Sequence, residues 1–174
     1  AMGADEVLHL RADEIPLDGL TSARALARVA AEFTPDLILL GKESIDDGNM
    51  QVGPMLAELL GLPCITVVTR LTLSAGGLTA ECERDDGTAI FEAPLPAVVT
   101  CQKGLSEPRY PSIRGKMAAM KMAIPEQPAG VSAGKIRITR LTPPPARAGG
   151  KRVGEGAAAV PELVHLLHSE ARVI

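Results

Sequence analysis

The sequence predicts an α/β fold: a mostly parallel sheet with flanking helices, antiparallel strands at the sheet edge, and an extended carboxyl-terminal arm that ends in a helix. Patterns typical of strands and helices alternate through residues 1–61, as they do in βαβ units. The composition agrees, since 46% of the 174 residues are apolar but the chain has two Phe, one Tyr and no Trp. Ala, Val, Leu and Ile must therefore fill the core, as is usual in sheets that helices cover.

The first predicted elements are a short strand and an amphipathic helix. Residues 6–10 resemble a strand, and residues 20–33 carry Leu and Ala at helical spacing. Thr21 or Ser22 is available as the N-cap of this helix. A second strand follows it, so we expect a right-handed crossover between two parallel strands of one sheet.

Residues 36–61, DLILLGKESIDDGNMQVGPMLAELLG, predict a strand, a polar loop and a second helix. The apolar run 37–40 favours a parallel strand that is covered on both faces. Pro54 suits the first helical turn, because the N–H that proline lacks would have no intrahelical acceptor there. Open α/β sheets hold ligands where the carboxyl end of a strand leads to a helix N-terminus, and free N–H groups there favour an anion such as phosphate. The loop is therefore a candidate nucleotide site.

The middle of the chain carries short strand patterns separated by turn residues. These patterns occupy residues 65–71, 78–84, 89–93 and 97–101. Asp86 and Gly87 together predict a hairpin turn, because both residues tolerate positive φ. We expect this part to add antiparallel strands at the sheet edge.

Proline and glycine punctuate the chain after residue 103. Such a stretch cannot bury enough apolar surface to form its own core, so it is either disordered or laid along a partner. Residues 161–172 predict a last helix with a short apolar stripe. We therefore expect a partial nucleotide-binding domain in residues 1–122 and, in residues 123–174, an arm whose terminal helix docks on another chain.

Composition excludes several classes of function. The net charge of −3 and the scarcity of aromatic residues argue against binding of nucleic acid. The three cysteines are odd in number and widely spaced, which favours reduced thiols in a cytosolic environment. No apolar run is long enough to span a bilayer, so we predict a soluble, cytoplasmic protein without membrane insertion. The histidines lie outside any cluster with metal-ligand spacing, and neither a metal site nor catalytic residues are assigned.

Three segments resemble, in the family's order, the β subunit of electron transfer flavoproteins: GKESIDDGNMQVGPMLAELLGLP, PLPAVVT at residues 94–100 and EPRYPSIRGKMAAMK at residues 107–121. A fourth segment at the carboxyl end, PELVHLLHSEARVI, looks like that subunit's terminal helix. The resemblance implies an adenine-nucleotide-binding fold similar to universal stress proteins, with a structural AMP in this subunit. It also implies an α subunit that carries the redox FAD, and an electron carrier that serves flavin-dependent dehydrogenases and a quinone reductase or other acceptor. Family members have further strand and helix units before this segment, so we expect an isolated chain to expose a sheet edge.

The resemblance places the nucleotide on the loop that precedes the second helix. Backbone N–H groups near Gln51, Val52 and Gly53 would hold phosphate, and Asp46 and Asp47 would bind ribose hydroxyls or fix the loop. The candidate cofactor-binding residues here are Ser44, Ile45, Asp46, Asp47, Gly48, Asn49, Gln51, Val52 and Gly53. The alternative is an acidic surface loop with helix-capping residues.

The identity of the nucleotide has two interpretations. Met50 and Val52 replace the Asn and Thr of many members that hold AMP, and the QVGP run resembles members that bind a second FAD and bifurcate electrons. The adjacent Asp46 and Asp47 are typical of the AMP type, which we favour. A stress-protein-like module without a redox role is the alternative from another class, and a non-functional remnant is a third.

The resemblance also implies a partner-binding segment at residues 107–122. Arg109 and Tyr110 would lie at the subunit boundary near the flavin, where Arg109 could pair with a phosphate or a carboxylate. Ile113 stands at the position of a family leucine that inserts into the dehydrogenase, with Met117 and Lys116 beside it. The alternatives are an Arg-Tyr pair that packs the loop onto the sheet and an ordinary helix packed on its own domain. In a eukaryote the compartment would be the mitochondrial matrix.

Overall fold

The computed structural model describes residues 1–12, 18–130, 134–146 and 149–174. The chain divides into two compact units, Ala1–Arg137 and Ile138–Ile174. The predicted boundary between the domain and the arm, at residues 122 and 123, lies within the first unit.

A five-stranded sheet forms the centre of the first unit. Its strands are β2 (Leu37–Gly41), β3 (Cys64–Ser74), β4 (Gly77–Arg84), β5 (Gly87–Pro94) and β6 (Ala97–Cys101). Their order is β2-β6-β3-β4-β5, in which the first three strands are parallel and the last two add an antiparallel extension. The predicted α/β fold with antiparallel strands at the sheet edge is confirmed.

Four α-helices are present in the described residues. They are α1 (Gly19–Phe33), α2 (Val52–Leu60), α3 (Ile113–Met120) and, in the second unit, α4 (Val160–Leu166). Helix α1 packs against α2, and α2 packs against β6 and β3. Helix α2 therefore covers one face of the parallel strands, and α1 lies against α2. Both helices that the periodicity predicts are present.

The short strands β1 (His9–Arg11) and β7 (Glu126–Pro128) form a separate two-stranded parallel sheet. The prediction that the first strand joins the main sheet is wrong. Its polar side chains pair with Glu126, which lies 3.2 Å from His9 and 3.7 Å from Arg11. A strand with two exposed polar side chains out of three is unsuited to a sheet position that is buried on both faces.

Strand β2 lies at the edge of the five-stranded sheet, and the face that carries Leu39 is partly exposed, so the prediction that it is covered on both faces is wrong. It pairs only with β6 among the described residues, and Leu39 is 53% exposed. A continuous apolar run shows that both faces of a strand are apolar, but it does not determine the number of neighbouring strands. Among the described residues, the two edge strands of this sheet are β2 and β5.

Two hairpins build the antiparallel extension. Ser74 pairs with Gly77 across the first turn, and Arg84 pairs with Gly87 across the second. The second turn therefore consists of Asp85 and Asp86, whereas the sequence predicts Asp86 and Gly87. Gly87 has a φ of 143° and opens β5, which explains why glycine is needed there although it is not a central turn residue.

The N-cap of α1 is Asp18, so the prediction of Thr21 or Ser22 is wrong. Asp18 has extended backbone, and its carboxylate accepts a 2.7 Å hydrogen bond from the Thr21 N–H. This bond is the main reason why the pKa of Asp18 is lowered below its ordinary value of 3.8. Helical periodicity locates the apolar face of α1, but the cap depends on backbone geometry one residue before the helix.

The charge of Asp18 is expected to make stability depend on acidic pH. Because folding lowers this pKa, the stabilisation is present above about pH 4 and is lost as the pH falls through the folded-state pKa. Asp18→Asn keeps an oxygen for the cap but not the charge. Urea midpoints of the two proteins should therefore differ more at pH 6 than at pH 2.5, and a difference that does not change with pH would contradict this expectation.

The main core cluster lies on one face of the sheet. Its buried members are Ile65, Val68, Leu78, Ala80, Cys82, Ala97 and Val99. Side chains alternate along β6, so Val98 and Thr100 point to the opposite face, which α2 covers. Leu56 is almost fully buried and lies one helical turn after Gly53, which contacts Thr100.

The second unit contains a short 3-10 helix (Ala157–Ala159), α4 and a π-helical turn (Leu167–Ala171). The predicted terminal helix is thus present, although it is not a single regular α-helix. Leu163 and Val164 are more than one-third exposed within this unit. That this apolar stripe docks on another chain stays a prediction.

Candidate functional site

The loop of residues 42–51 begins at the carboxyl ends of two parallel strands. Gly41, the last residue of β2, lies opposite Cys101, the last residue of β6. The Lys42 N–H continues the pairing by donating to the Cys101 carbonyl at 3.1 Å. The chain then crosses this edge of the sheet to reach the N-terminus of α2. The structure thus places the loop where the sequence predicts a ligand site.

The first turn of α2 has two backbone donors that lack intrahelical acceptors. Gln51 is the N-cap and makes no side-chain capping bond, and the Met55 N–H donates to the Gln51 carbonyl at 3.1 Å. Pro54 has no N–H, so Val52 and Gly53 provide the free donors of this turn. Two N–H groups at the positive end of a helix dipole can bind an anionic oxygen.

The loop itself is closed by short-range hydrogen bonds. The Gly48 N–H donates to the Ser44 carbonyl at 3.0 Å, and Gly48 and Met50 have φ values of 61° and 52°. The hydroxyl of Ser44 and the N–H groups of Asp46 and Asp47 lower the pKa of Asp46. The two roles predicted for this carboxylate, binding ribose hydroxyls or fixing the loop, stay predictions.

The side chains of the loop differ in their exposure. Asp47, Asn49 and Ile45 are exposed and are free to meet a ligand or solvent. Lys42 and Glu43 form an ion pair at 2.9 Å, and their side chains are 19% and 27% exposed. The sequence motif did not indicate this pair, because adjacent residues of opposite charge are common on surfaces.

Thr100 is a further residue of the site that sequence reasoning missed. Its side chain is buried below the first turn of α2, and its hydroxyl accepts a 3.1 Å hydrogen bond from the Val67 N–H. Its position at the end of the apolar run AVVT was a usable signal. A single polar side chain at the carboxyl end of a buried strand needs a hydrogen-bond partner, and ligand sites lie at that end.

Arg109 and Tyr110 are both exposed, and Tyr110 almost fully so. Arg109 lies close to Gly3. In the described part of the chain, neither side chain makes an ion pair or a side-chain hydrogen bond within the chain. The alternative that this pair packs the loop onto the sheet does not fit the exposure of Tyr110. The structure does not show these two residues and the α2 loop in contact.

Helix α3 presents its apolar side chains to solvent. Ser112 caps it by accepting a 3.0 Å hydrogen bond from the Gly115 N–H. Ile113 is 81% exposed, Met117 and Lys116 are exposed, and no residue of the helix is buried. An ordinary amphipathic helix packed on its own domain would bury its apolar side, so that alternative does not fit.

The three cysteines are free, and burial raises the pKa of each thiol. Because the thiolate is the reactive form, we expect little modification by iodoacetamide at pH 7.5 in the folded protein. In urea all three should react rapidly. Mass spectrometry of the two samples tests this, and complete labelling of the folded protein would contradict it.

No group of three His, Cys, Asp or Glu side chains capable of holding a metal ion occurs in residues 1–12, 18–130, 134–146 and 149–174. Among the same residues, no helix is long and apolar enough to cross a membrane.

The chain was compared with known proteins. A family model described as the electron transfer flavoprotein domain matches residues 1–132, which include the α2 loop and α3. The chain belongs to the electron transfer flavoprotein family. A relative named electron transfer flavoprotein subunit beta, from Bacillus subtilis, is 39% identical over 186 residues that cover all of this chain and 72% of the relative.

Two further relatives carry the same subunit name. The one from Syntrophomonas wolfei is 39% identical over 153 residues, which cover 88% of this chain and 60% of the relative. The mitochondrial one from Oryza sativa subsp. japonica is 35% identical over 181 residues, which cover all of this chain and 70% of the relative. The predicted resemblance to electron transfer flavoprotein β subunits is confirmed. This chain spans 60 to 72% of the length of these three relatives.

Proposed function

We propose that this chain belongs to the β subunit of an electron transfer flavoprotein heterodimer. The heterodimer passes electrons from flavin-dependent dehydrogenases to a quinone reductase or another acceptor, and the redox FAD is held mainly by the α subunit. The β subunit acts as an electron carrier component without catalytic residues of its own. The proposal is supported by the family to which the chain belongs and by its similarity to proteins named electron transfer flavoprotein subunit beta.

The proposal that this chain binds a nucleotide rests on the uncapped first turn of α2. The free N–H groups of Val52 and Gly53 supply donors for a phosphate, and they do not depend on the side chains at positions 50 and 52. AMP is the nucleotide that we propose, with exposed Asp47 and Asn49 near its ribose. Asp46 is proposed to bind ribose hydroxyls or to fix the loop, in which the Ser44 hydroxyl and two backbone N–H groups lower its pKa.

Helix α3 supports the proposal that this chain binds flavin-dependent dehydrogenases. An isoleucine and two methionines stay exposed on this short helix in the described fold, and we propose that they are buried on another molecule. Methionine side chains adapt to differently shaped pockets, as a carrier with several dehydrogenase partners requires. We assign Ile113 as the anchor, with Met117 and Lys116 beside it.

The α subunit is proposed as the second partner. Arg109 and Tyr110 are free for contacts at the subunit boundary near the flavin, and the terminal helix with Leu163 and Val164 is the proposed docking element. The proposed compartment is the cytoplasm, or the mitochondrial matrix in a eukaryote.

Co-production with an electron transfer flavoprotein α subunit tests the proposal. The purified complex is denatured, and the released nucleotides are identified by chromatography and counted per heterodimer. One FAD and one AMP are expected. Recovery of two FAD molecules and no AMP would show that a second flavin takes the place of AMP. This result would favour the bifurcating type, whose members the QVGP run resembles. A chain that does not associate with the α subunit, or that binds nucleotide as a monomer without flavin, would overturn the electron-transfer function.

A further inference from the structure

Thr100 joins three elements below the candidate nucleotide site. The side chain belongs to β6 and is 2% exposed. Its hydroxyl contacts the backbone of β3, and its methyl group lies against the first turn of α2. Thr100 thus connects its own strand with the neighbouring strand and with a helix N-terminus.

The hydroxyl holds an irregular point of β3. The register of β3 shifts between Ile65 and Val68 against β6, and Val67 has a φ of 59°. This left-handed conformation is strained for a β-branched residue and persists only where the surroundings fix it. The Val67 N–H, which the bulge removes from the ladder, donates to Thr100 Oγ1 at 3.1 Å. This bond orients the Thr100 side chain.

The methyl group limits how closely α2 approaches the sheet. A Cβ added to Gly53 would overlap with Thr100 Cγ2, far inside van der Waals contact. Gly53 does not have positive φ, so its need for glycine comes from this close approach and not from backbone conformation. The turn that offers the Val52 and Gly53 N–H groups therefore rests directly on the Thr100 methyl group.

We propose that Thr100 is a positioning residue of the nucleotide site. Its methyl group sets the height of the first turn of α2 above β6, and its hydroxyl, bonded to Val67, keeps that methyl group under Gly53. Thr100 itself does not touch the nucleotide, since it is buried beneath the turn. The inference rests on the proposed function in one respect: the anion held by this turn is the phosphate of AMP or FAD.

The test measures AMP affinity in the heterodimer after its nucleotide has been removed. Gly53→Ala is expected to weaken binding by about ten-fold or more, because the added methyl group displaces the turn and misplaces the donors for a charged ligand. The double variant Gly53→Ala with Thr100→Ser should bind within about three-fold of the unaltered complex, since loss of Cγ2 makes room for the added Cβ. Thr100→Val, which keeps the methyl group, should also bind within about three-fold but melt at a lower temperature, because the Val67 N–H loses its acceptor.

Melting curves of every variant, recorded by circular dichroism, show that binding is measured on folded protein. A double variant that binds as weakly as Gly53→Ala would overturn the inference. Position 53 would then have to be glycine so that the ligand can come close to the backbone, and not because of the contact with Thr100. Gly53→Ala with unchanged affinity would overturn it as well. An unaltered complex that binds neither AMP nor FAD would instead overturn the proposed nucleotide site, and the inference with it.

Discussion

Leu56→Ala is expected to lower the free energy of unfolding by about 2–5 kcal/mol, the usual range for truncation of a buried leucine. Leu56 is 1% exposed and lies one turn after Gly53, on the side of α2 that faces the sheet. Helix α2 has nine residues, too few for stability by itself, so its position depends on this packing. Chemical unfolding in urea, followed by circular dichroism, gives the difference.

Leu59→Ala provides the matched control on the same helix. Leu59 is 45% exposed, so its truncation removes less buried area and leaves no closed cavity. We expect it to cost about 1 kcal/mol or less. If both variants lost the same free energy of unfolding, the face of α2 that carries Leu56 would not be buried against the sheet.

Ile113→Ala is expected to raise the KM of the heterodimer for a dehydrogenase by about ten-fold, which corresponds to about 1.4 kcal/mol of binding energy. Ile113 is 81% exposed and contributes little to the fold, so the urea midpoint and the content of bound flavin should stay unchanged. Steady-state electron transfer from a purified flavin-dependent dehydrogenase measures the effect.

Ile124→Ala is the control for Ile113, because Ile124 is also an exposed isoleucine but lies after the end of α3. Its truncation should leave the KM unaltered. If Ile113→Ala leaves the transfer kinetics unchanged, the anchor role is rejected. A loss of flavin in either variant would show that the segment serves the cofactor instead of the dehydrogenase.

Local patterns were sufficient for much of the fold. The apolar periodicity of α1, the strand patterns in residues 64–101 and the hairpin before Gly87 are properties of neighbouring residues, and the structure confirms them. The exposed acidic loop and the presence of Pro54 in the first turn of α2 were also readable, because proline lacks only an N–H that has no intrahelical acceptor there.

Errors arose where the outcome depended on distant residues. Strand β1 found its partner in β7, more than one hundred residues away, and β2 became an edge strand despite its apolar sequence. Asp18 became the cap of α1 because the chain enters the helix with extended backbone there. Sequence periodicity contains no information on which strands are neighbours, since pairing is decided by the competition of all strands for one sheet.

The sequence by itself determined that residues 36–61 form a strand, a loop and a helix, because apolar periodicity and proline act over a few residues. Only the tertiary structure decided how that loop is supported. Thr100 lies 47 residues after Gly53, and nothing in the local pattern of either residue indicates that one must be small because the other is beneath it. Close packing of the interior makes this contact specific, and close packing exists only when the distant segments have come together.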